Sequence, residues 1–319
     1  MVSPDFINPL HNPLFIPILL RLDLTFLISF LFIAWIKKFD WKEITQSNLG
    51  QRYFGWLVLS PFIILGVFFG RIPGLFMLLV FLGLAIREIS HIAKLPRIYK
   101  YTLFFLSFLS LIIAWSWTKY FYTLPIIYFM LISLIAIRQN DSKKGLFYSS
   151  TTLFYAIWII FGLSHFILLS YLSNSINSTR LLMTLVIFSV SLSDIGAYVF
   201  GKFFHKIGFL DQYKIADHIS PNKTYIGILG HIIGAFIGIL IFYIGFEWFF
   251  SFYHLVLISI IIGVMGVIGG LTNSMFKRYF GVKNSSRFIP GLGGVLDRID
   301  SLVRVVVVLY YYLLFVSQY

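Results

Sequence analysis

FYHLVLISIIIGVMGVIGGLTNSM, residues 252–275, runs for 24 positions without an Asp, Glu, Lys or Arg. A helix of that length rises about 36 Å, enough to cross the roughly 30 Å hydrocarbon core of a bilayer. The run is continuously apolar rather than alternating with period two, so it reads as a helix and not as a barrel strand. Working outward, comparable runs fall at roughly 14–36, 53–70, 73–86, 101–118, 121–137, 148–172, 181–201, 225–246 and 301–317. Composition agrees, because 59% apolar and 12% charged residues cannot cover a soluble globule of 319 residues. The expected fold class is all-α: a polytopic integral membrane protein with about ten transmembrane helices.

The net charge of +13 is topology signal rather than a mark of nucleic-acid binding. Twenty of the 25 Lys and Arg fall in alternate loops, at 37–52, 87–100, 138–144, 202–223 and 277–298. The intervening loops hold only Arg71, Lys119 and Arg180. The positive-inside rule makes the rich loops cytosolic and puts both termini outside. The expected location is an integral membrane, the plasma membrane if the source is bacterial, with the active face toward the cytosol. The chain has no cysteine, which excludes disulfides, thiolate metal sites and thiol nucleophiles. No cleaved signal, internal repeat or low-complexity tract is apparent.

The chain divides in character near residue 180, into N-terminal transmembrane helices (1–180) and a C-terminal domain (181–319) that carries the chemistry. Upstream, Arg21 and Asp23 read as interfacial residues, and Glu88 with His91 as part of a solvated juxtamembrane helix. Downstream, three stretches stand out. Asp194, in SDIGAY (193–198), is a carboxylate inside an apolar helix, costly unless a cation offsets it. Ser220-Pro221-Asn222-Lys223-Thr224 places an ammonium and a hydroxyl at a helix entrance, suited to an anion or to an ordinary cap. Residues 274–300, SMFKRYFGVKNSSRFIPGLGGVLDRID, are the densest. There Pro290, Gly291, Gly293 and Gly294 permit close approach to phosphate. Asp297 and Asp300 share a helical face, and Lys277, Arg278, Lys283, Arg287 and Arg298 supply charge for a triphosphate.

This last stretch resembles the signature of the phosphatidate cytidylyltransferases, also called CDP-diglyceride synthases. Ser274, Phe276, Lys277, Arg278, Lys283, Ser286, Ile289, Pro290, Gly293, Gly294, Val295, Asp297, Arg298, Ile299 and Asp300 fall in register with it. Asp194, Ala197, Tyr198 and Gly201, and Ser220, Pro221, Lys223 and Thr224, are similar to two further family elements; together the resemblance covers about residues 181–319. It implies a nucleotidyltransferase that converts CTP and phosphatidate, or a related lipid phosphate, to CDP-diacylglycerol and pyrophosphate. The implied roles are Asp297, Asp300 and Lys277 in catalysis, with Mg²⁺ on Asp297 and Asp194. Ser220, Lys223, Thr224, Arg278, Lys283, Gly293, Gly294 and Arg298 would bind substrate. Membrane lipids are the expected surroundings, and a homodimer is implied at family level.

The chain departs from that pattern where the family carries acids. Gly270 stands for a metal-binding aspartate, Asn273 for a glutamate, Asn284 for the aspartate after the lysine, and Leu292 for the histidine before the glycine pair. Asparagine can ligate a hard cation through its carbonyl but brings no charge. Two readings therefore stand: a divergent cytidylyltransferase, or a non-catalytic relative that binds a lipid headgroup or nucleotide, or partners another membrane protein.

Overall fold

A computed structural model of the chain describes residues 6–172, 176–207, 213–221, 223–246, 251–286 and 293–316, with the backbone alone described at 48, 49, 52 and 176–178. The described residues are helical: α1 (Phe15–Ile36), α2 (Trp41–Gln46), α3 (Asn48–Phe68), α4 (Arg71–Ile92), α5 (Arg97–Ser116), α6 (Leu124–Arg138), α7 (Ser142–Tyr155), α8 (Gly162–Leu169), α9 (Ile176–Ile207), α10 (Tyr225–Tyr243), α11 (Phe252–Tyr279) and α12 (Leu296–Val316). Among them no sheet forms, and one isolated bridge joins Lys214 to Thr224. Among the described residues nine helical rods are long and apolar enough to cross a membrane, and the apolar part of α3, Tyr53–Phe68, is shorter. The protein is an integral, polytopic membrane protein.

Short polar residues set several helix starts. Asp40, Ser47, Asp141 and Thr224 accept backbone N–H groups at the entrances of α2, α3, α7 and α10, satisfying donors that a helix end leaves without partners. α7 and α8 join through a π-helical turn at Ala156–Phe161 into one rod, Ser142–Leu169. Arg21 answers the other kind of end. Its Nη1 donates to the Ile241 carbonyl at 2.7 Å and its guanidinium lies 4.1 Å from the Phe246 ring centre, so it closes the last turn of α10.

The C-terminal helices approach more closely than side chains would allow. A Cβ added at Gly196 would stand 2.3 Å from the Gly230 carbonyl oxygen, and one at Gly234 would stand 2.4 Å from that of Leu192. Glycine at these positions lets the α9 and α10 backbones touch, as small residues do between membrane helices generally.

One expectation fails here. Glu88 is 7% exposed rather than solvated, and α4 runs on to Ile92, well past the predicted end at 86. Its carboxylate accepts the backbone N–H groups of Val295 and Leu296 at 2.9 and 3.0 Å and the Ser286 hydroxyl at 2.7 Å. A carboxylate at a helix N-terminus meets both the free N–H groups and the positive end of the helix dipole. Glu88 thus ties the N-terminal half of the chain to the start of α12.

Candidate functional site

α11 and α12 pack antiparallel, so the last turns of one face the first turns of the other. They meet closely because position 269 is glycine, where a Cβ would lie 2.4 Å from the Asp300 carbonyl oxygen. Into this contact project Asn273 and Lys277 from α11 and Asp297 and Asp300 from α12. The i, i+3 spacing of the two acids does place them on one face.

Asp297 is the hub. Its Oδ1 accepts Lys277 Nζ at 2.6 Å and Asn273 Nδ2 at 2.9 Å. Its Oδ2 accepts the backbone N–H and hydroxyl of Ser285, at 3.2 and 2.8 Å, and the Gly294 N–H at 3.3 Å. Asp300, 7% exposed, accepts the other Asn273 Nδ2 hydrogen at 2.9 Å on Oδ2 and the Ser301 N–H at 2.7 Å on Oδ1. One amide nitrogen therefore bridges two carboxylates. A glutamate at 273 would bring oxygens to a place that needs a donor.

Lys223 enters from the segment before α10. The pairing of Ile215 N–H with the Lys223 carbonyl and of Tyr225 N–H with that of Tyr213 fixes its backbone. Its ammonium donates to the Val267 carbonyl at 3.2 Å and lies 2.4 Å from where a Cβ at Gly270 would stand. The space that an acid at 270 would fill is taken by a cation. Burial lowers the Lys223 pKa from the ordinary lysine value, Asp300 and Asp194 pull it back up, and Lys277 adds to the lowering. Asp194, on α9, lies 3.8 Å from His231, whose Nδ1 shares a 2.9 Å hydrogen bond with Ser193.

Other predicted residues distribute around this core. The backbone N–H of Ser220 is bonded to Ala216, and the Thr224 hydroxyl accepts the Gly227 N–H at 3.2 Å, serving as a cap. Arg278 is exposed and donates to the Val282 carbonyl at 3.3 Å; Lys283 is exposed. Gly293 adopts φ +82°, and a Cβ at Gly294 would strike Ser285 Oγ at 2.0 Å and Glu88 Oε2 at 2.3 Å. Asn222, Arg287, Pro290, Gly291 and Leu292 lie outside the described residues.

Arg298 meets the apolar interior. It lines two apolar cavities, one of 180 Å³ between α1, α3, α9 and α10 and one of 50 Å³ between α3, α4, α8 and α9. Trp56 and Ser191 border both as well. The Arg298 Nε is buried without a hydrogen-bond partner among the described residues. Asp194 borders the larger cavity.

Whether this cluster suits a resident Mg²⁺ turns on lone pairs. A carboxylate offers about four, and five protein hydrogens already reach Asp297. An ion there would have to displace Lys277 or Ser285. Among the described residues no three His, Asp or Glu side chains gather closely enough to hold a metal. As folded, the donors around Asp297 do not fit a resident divalent ion, and Asp194 has His231 at 3.8 Å and acts on the nearby Lys223.

A sequence model of the cytidylyltransferase family matches residues 50–316. The chain belongs to that family. The match starts far upstream of residue 181, so its range takes in α4 as well as the C-terminal helices. Phosphatidate cytidylyltransferases of Staphylococcus saprophyticus and Staphylococcus haemolyticus are 41% identical to the chain over 116 and 118 residues, and one from Staphylococcus aureus is 39% identical over 116. Each alignment takes in 36% of this chain and 42% of the relative, so it spans less than half the length of those proteins.

Sequence reasoning missed Glu88, Ser285, His231 and Trp56. For Glu88 a signal existed: it shares a helical face with Leu84, Ala85 and Ile92, at spacings of three and four, and that face is largely buried. For Ser285 and His231 no local pattern marked a partner.

Proposed function

We propose that the protein transfers the cytidylyl group of CTP to a lipid phosphate, phosphatidate or a close relative, forming CDP-diacylglycerol. A non-bridging oxygen of the lipid phosphate attacks the α-phosphorus of CTP. The bond from that phosphorus to the α,β-bridging oxygen breaks, and pyrophosphate leaves with the electron pair. The nucleophile is already anionic, so the protein's task is to align two polyanions and absorb their charge.

The observation that carries this reading is Arg298. It neighbours Asp297 in sequence, its buried Nε lacks a partner, and two apolar cavities converge on it. Such a position suits one phosphate with two acyl chains. Lys277 and Lys223, with Arg278, Lys283, Ser220 and the Gly293-Gly294 backbone, would receive the triphosphate. Asp297 and Asp300 would hold those cations in place, and Thr224 would act through its cap on α10. Mg²⁺ belongs to this scheme as the counter-ion of the nucleotide, arriving as Mg·CTP.

The proposal includes topology. Ten crossings, counting Tyr53–Phe68, with the basic loops in the cytosol and both termini outside, would bring CTP to Lys277 from the cytosol. Residues 181–319 would carry the reaction while 1–180 wall the lipid clefts, in a homodimer.

A second reading, a non-catalytic lipid- or nucleotide-binding relative, draws on Asn273 and Lys223, which satisfy the acids without any ligand. Purified protein in nanodiscs, given CTP, Mg²⁺ and phosphatidate, should release pyrophosphate in step with CDP-lipid. Lipid binding without CDP-lipid at any Mg²⁺ or Mn²⁺ concentration would establish the second reading instead.

A further inference from the structure

We propose that the end of the bundle opposite Asp297 carries a second anion site, in which Arg71 and Arg180 hold a phosphate oxyanion. A cavity of 90 Å³ opens between the start of α4, the end of α5, α8 and the start of α9, and both arginines line it. That is the volume of about three waters, and a phosphate group fits the same space.

The two cations meet it differently. Arg180 is 4% exposed, and its Nη2 is buried without a hydrogen-bond partner among the described residues. Arg71 is oriented from behind: it donates to the Tyr171 hydroxyl at 2.7 Å and lies 4.7 Å from the Trp115 ring centre, while that hydroxyl donates to the Trp115 carbonyl at 2.9 Å. Among the described residues no Asp or Glu lines the cavity, and neither arginine forms a salt bridge. Two guanidiniums turned on one cavity, with no carboxylate among the described residues to answer them, suit an anion from outside the chain. Guanidinium forks match the oxygens of phosphate, each contact being a charge-assisted hydrogen bond.

Helix geometry gives the depth. Along α4, Arg71 precedes Glu88 by seventeen residues, about 25 Å at about 1.5 Å per residue; along α9, Arg180 precedes Asp194 by fourteen, about 21 Å. Both helices put the cavity near the far face of a hydrocarbon core roughly 30 Å thick. Trp115 and Tyr171 are the residue types that settle at headgroup level. The oxyanion comes either from a phospholipid headgroup or from free phosphate, and the chemistry of the site is the same for both.

The test uses full-length protein in a neutral detergent, with dioctanoyl phosphatidylglycerol and inorganic phosphate as separate probes. Native mass spectrometry counts retained lipid, and the thermal midpoint reports binding of either probe. Wild type should hold one more phosphatidylglycerol than Arg180→Gln and Arg71→Gln, whose affinity at this site falls about tenfold or more with the loss of a charge-assisted contact. A midpoint raised by the lipid alone assigns the site to a headgroup; one raised by phosphate alone assigns it to the free ion. Without either probe, Arg180→Gln should melt no lower than wild type, because it removes a buried cation that lacks a partner. Equal lipid counts and equal midpoint shifts in wild type and both variants, or no response of wild type to either probe, would overturn the proposal. If Arg180→Gln fails to fold, Arg71→Gln, at a half-buried position, carries the comparison.

Discussion

The two ends of this bundle treat charge in opposite ways. Around Asp297 the chain answers its own ions: Lys277, Asn273, Ser285 and Gly294 surround one carboxylate, and Lys223 fills the space beside Gly270. Around Arg180 it does not, since a buried guanidinium nitrogen lacks a partner among the described residues. A self-compensated cluster keeps its shape before any substrate arrives; an uncompensated one is completed by what binds there. At 270 and 273, where the resemblance implies acids, this chain holds its cluster together with an ammonium and an amide.

The largest effect belongs to Asp297. Asp297→Asn strands Lys277, only 13% exposed, and breaking a buried pair costs about 3–5 kcal/mol. Thermal unfolding should show that loss, and CDP-lipid formation should fall by about 100-fold or more. Glu88→Gln comes next. It keeps the shape but removes the charge that receives the Val295 and Leu296 N–H groups, and should cost about 1–3 kcal/mol, read as a lower unfolding midpoint with α11 and α12 otherwise unaltered.

The double change Gly270→Asp with Asn273→Glu restores oxygens to both places. It should displace the Lys223 ammonium from beside position 270 and create a divalent site that binds Mn²⁺ about tenfold or more tightly than wild type, measurable by calorimetry. Unchanged Mn²⁺ affinity would mean that the donors now present are not what keeps a metal out. The smallest effect is a pH dependence. Because burial lowers the Lys223 pKa, the unfolded chain binds its proton more readily than the folded one. Stability should therefore rise with pH from the folded value up to the ordinary lysine value of about 10.4. Lys223→Met should flatten that part of the profile.

Much of this was legible in the sequence. Runs of apolar residues mark the long helices, with ends off by up to six positions, and the spacing of Asp297 and Asp300 places both on one face. What could not be read depends on partners far along the chain. Glu88 binds residues 198 to 208 positions away, which turns an apparently solvated acid into a buried cap. Gly270 reads as an acid lost, yet its meaning lies in Lys223, whose side chain arrives from another helix entrance. Asn273 likewise reads as a weakened ligand until its amide is seen to donate to both carboxylates.

The most direct test of the account compares CDP-lipid formation by wild type, Asp297→Asn, Lys277→Met and the double variant, in nanodiscs containing phosphatidate and supplied with Mg·CTP. If Asp297 serves to hold Lys277 against the nucleotide, the two act as a unit: each single change should abolish transfer nearly as fully as both together. Transfer near the wild-type rate in Lys277→Met, or independent and additive losses, would contradict it.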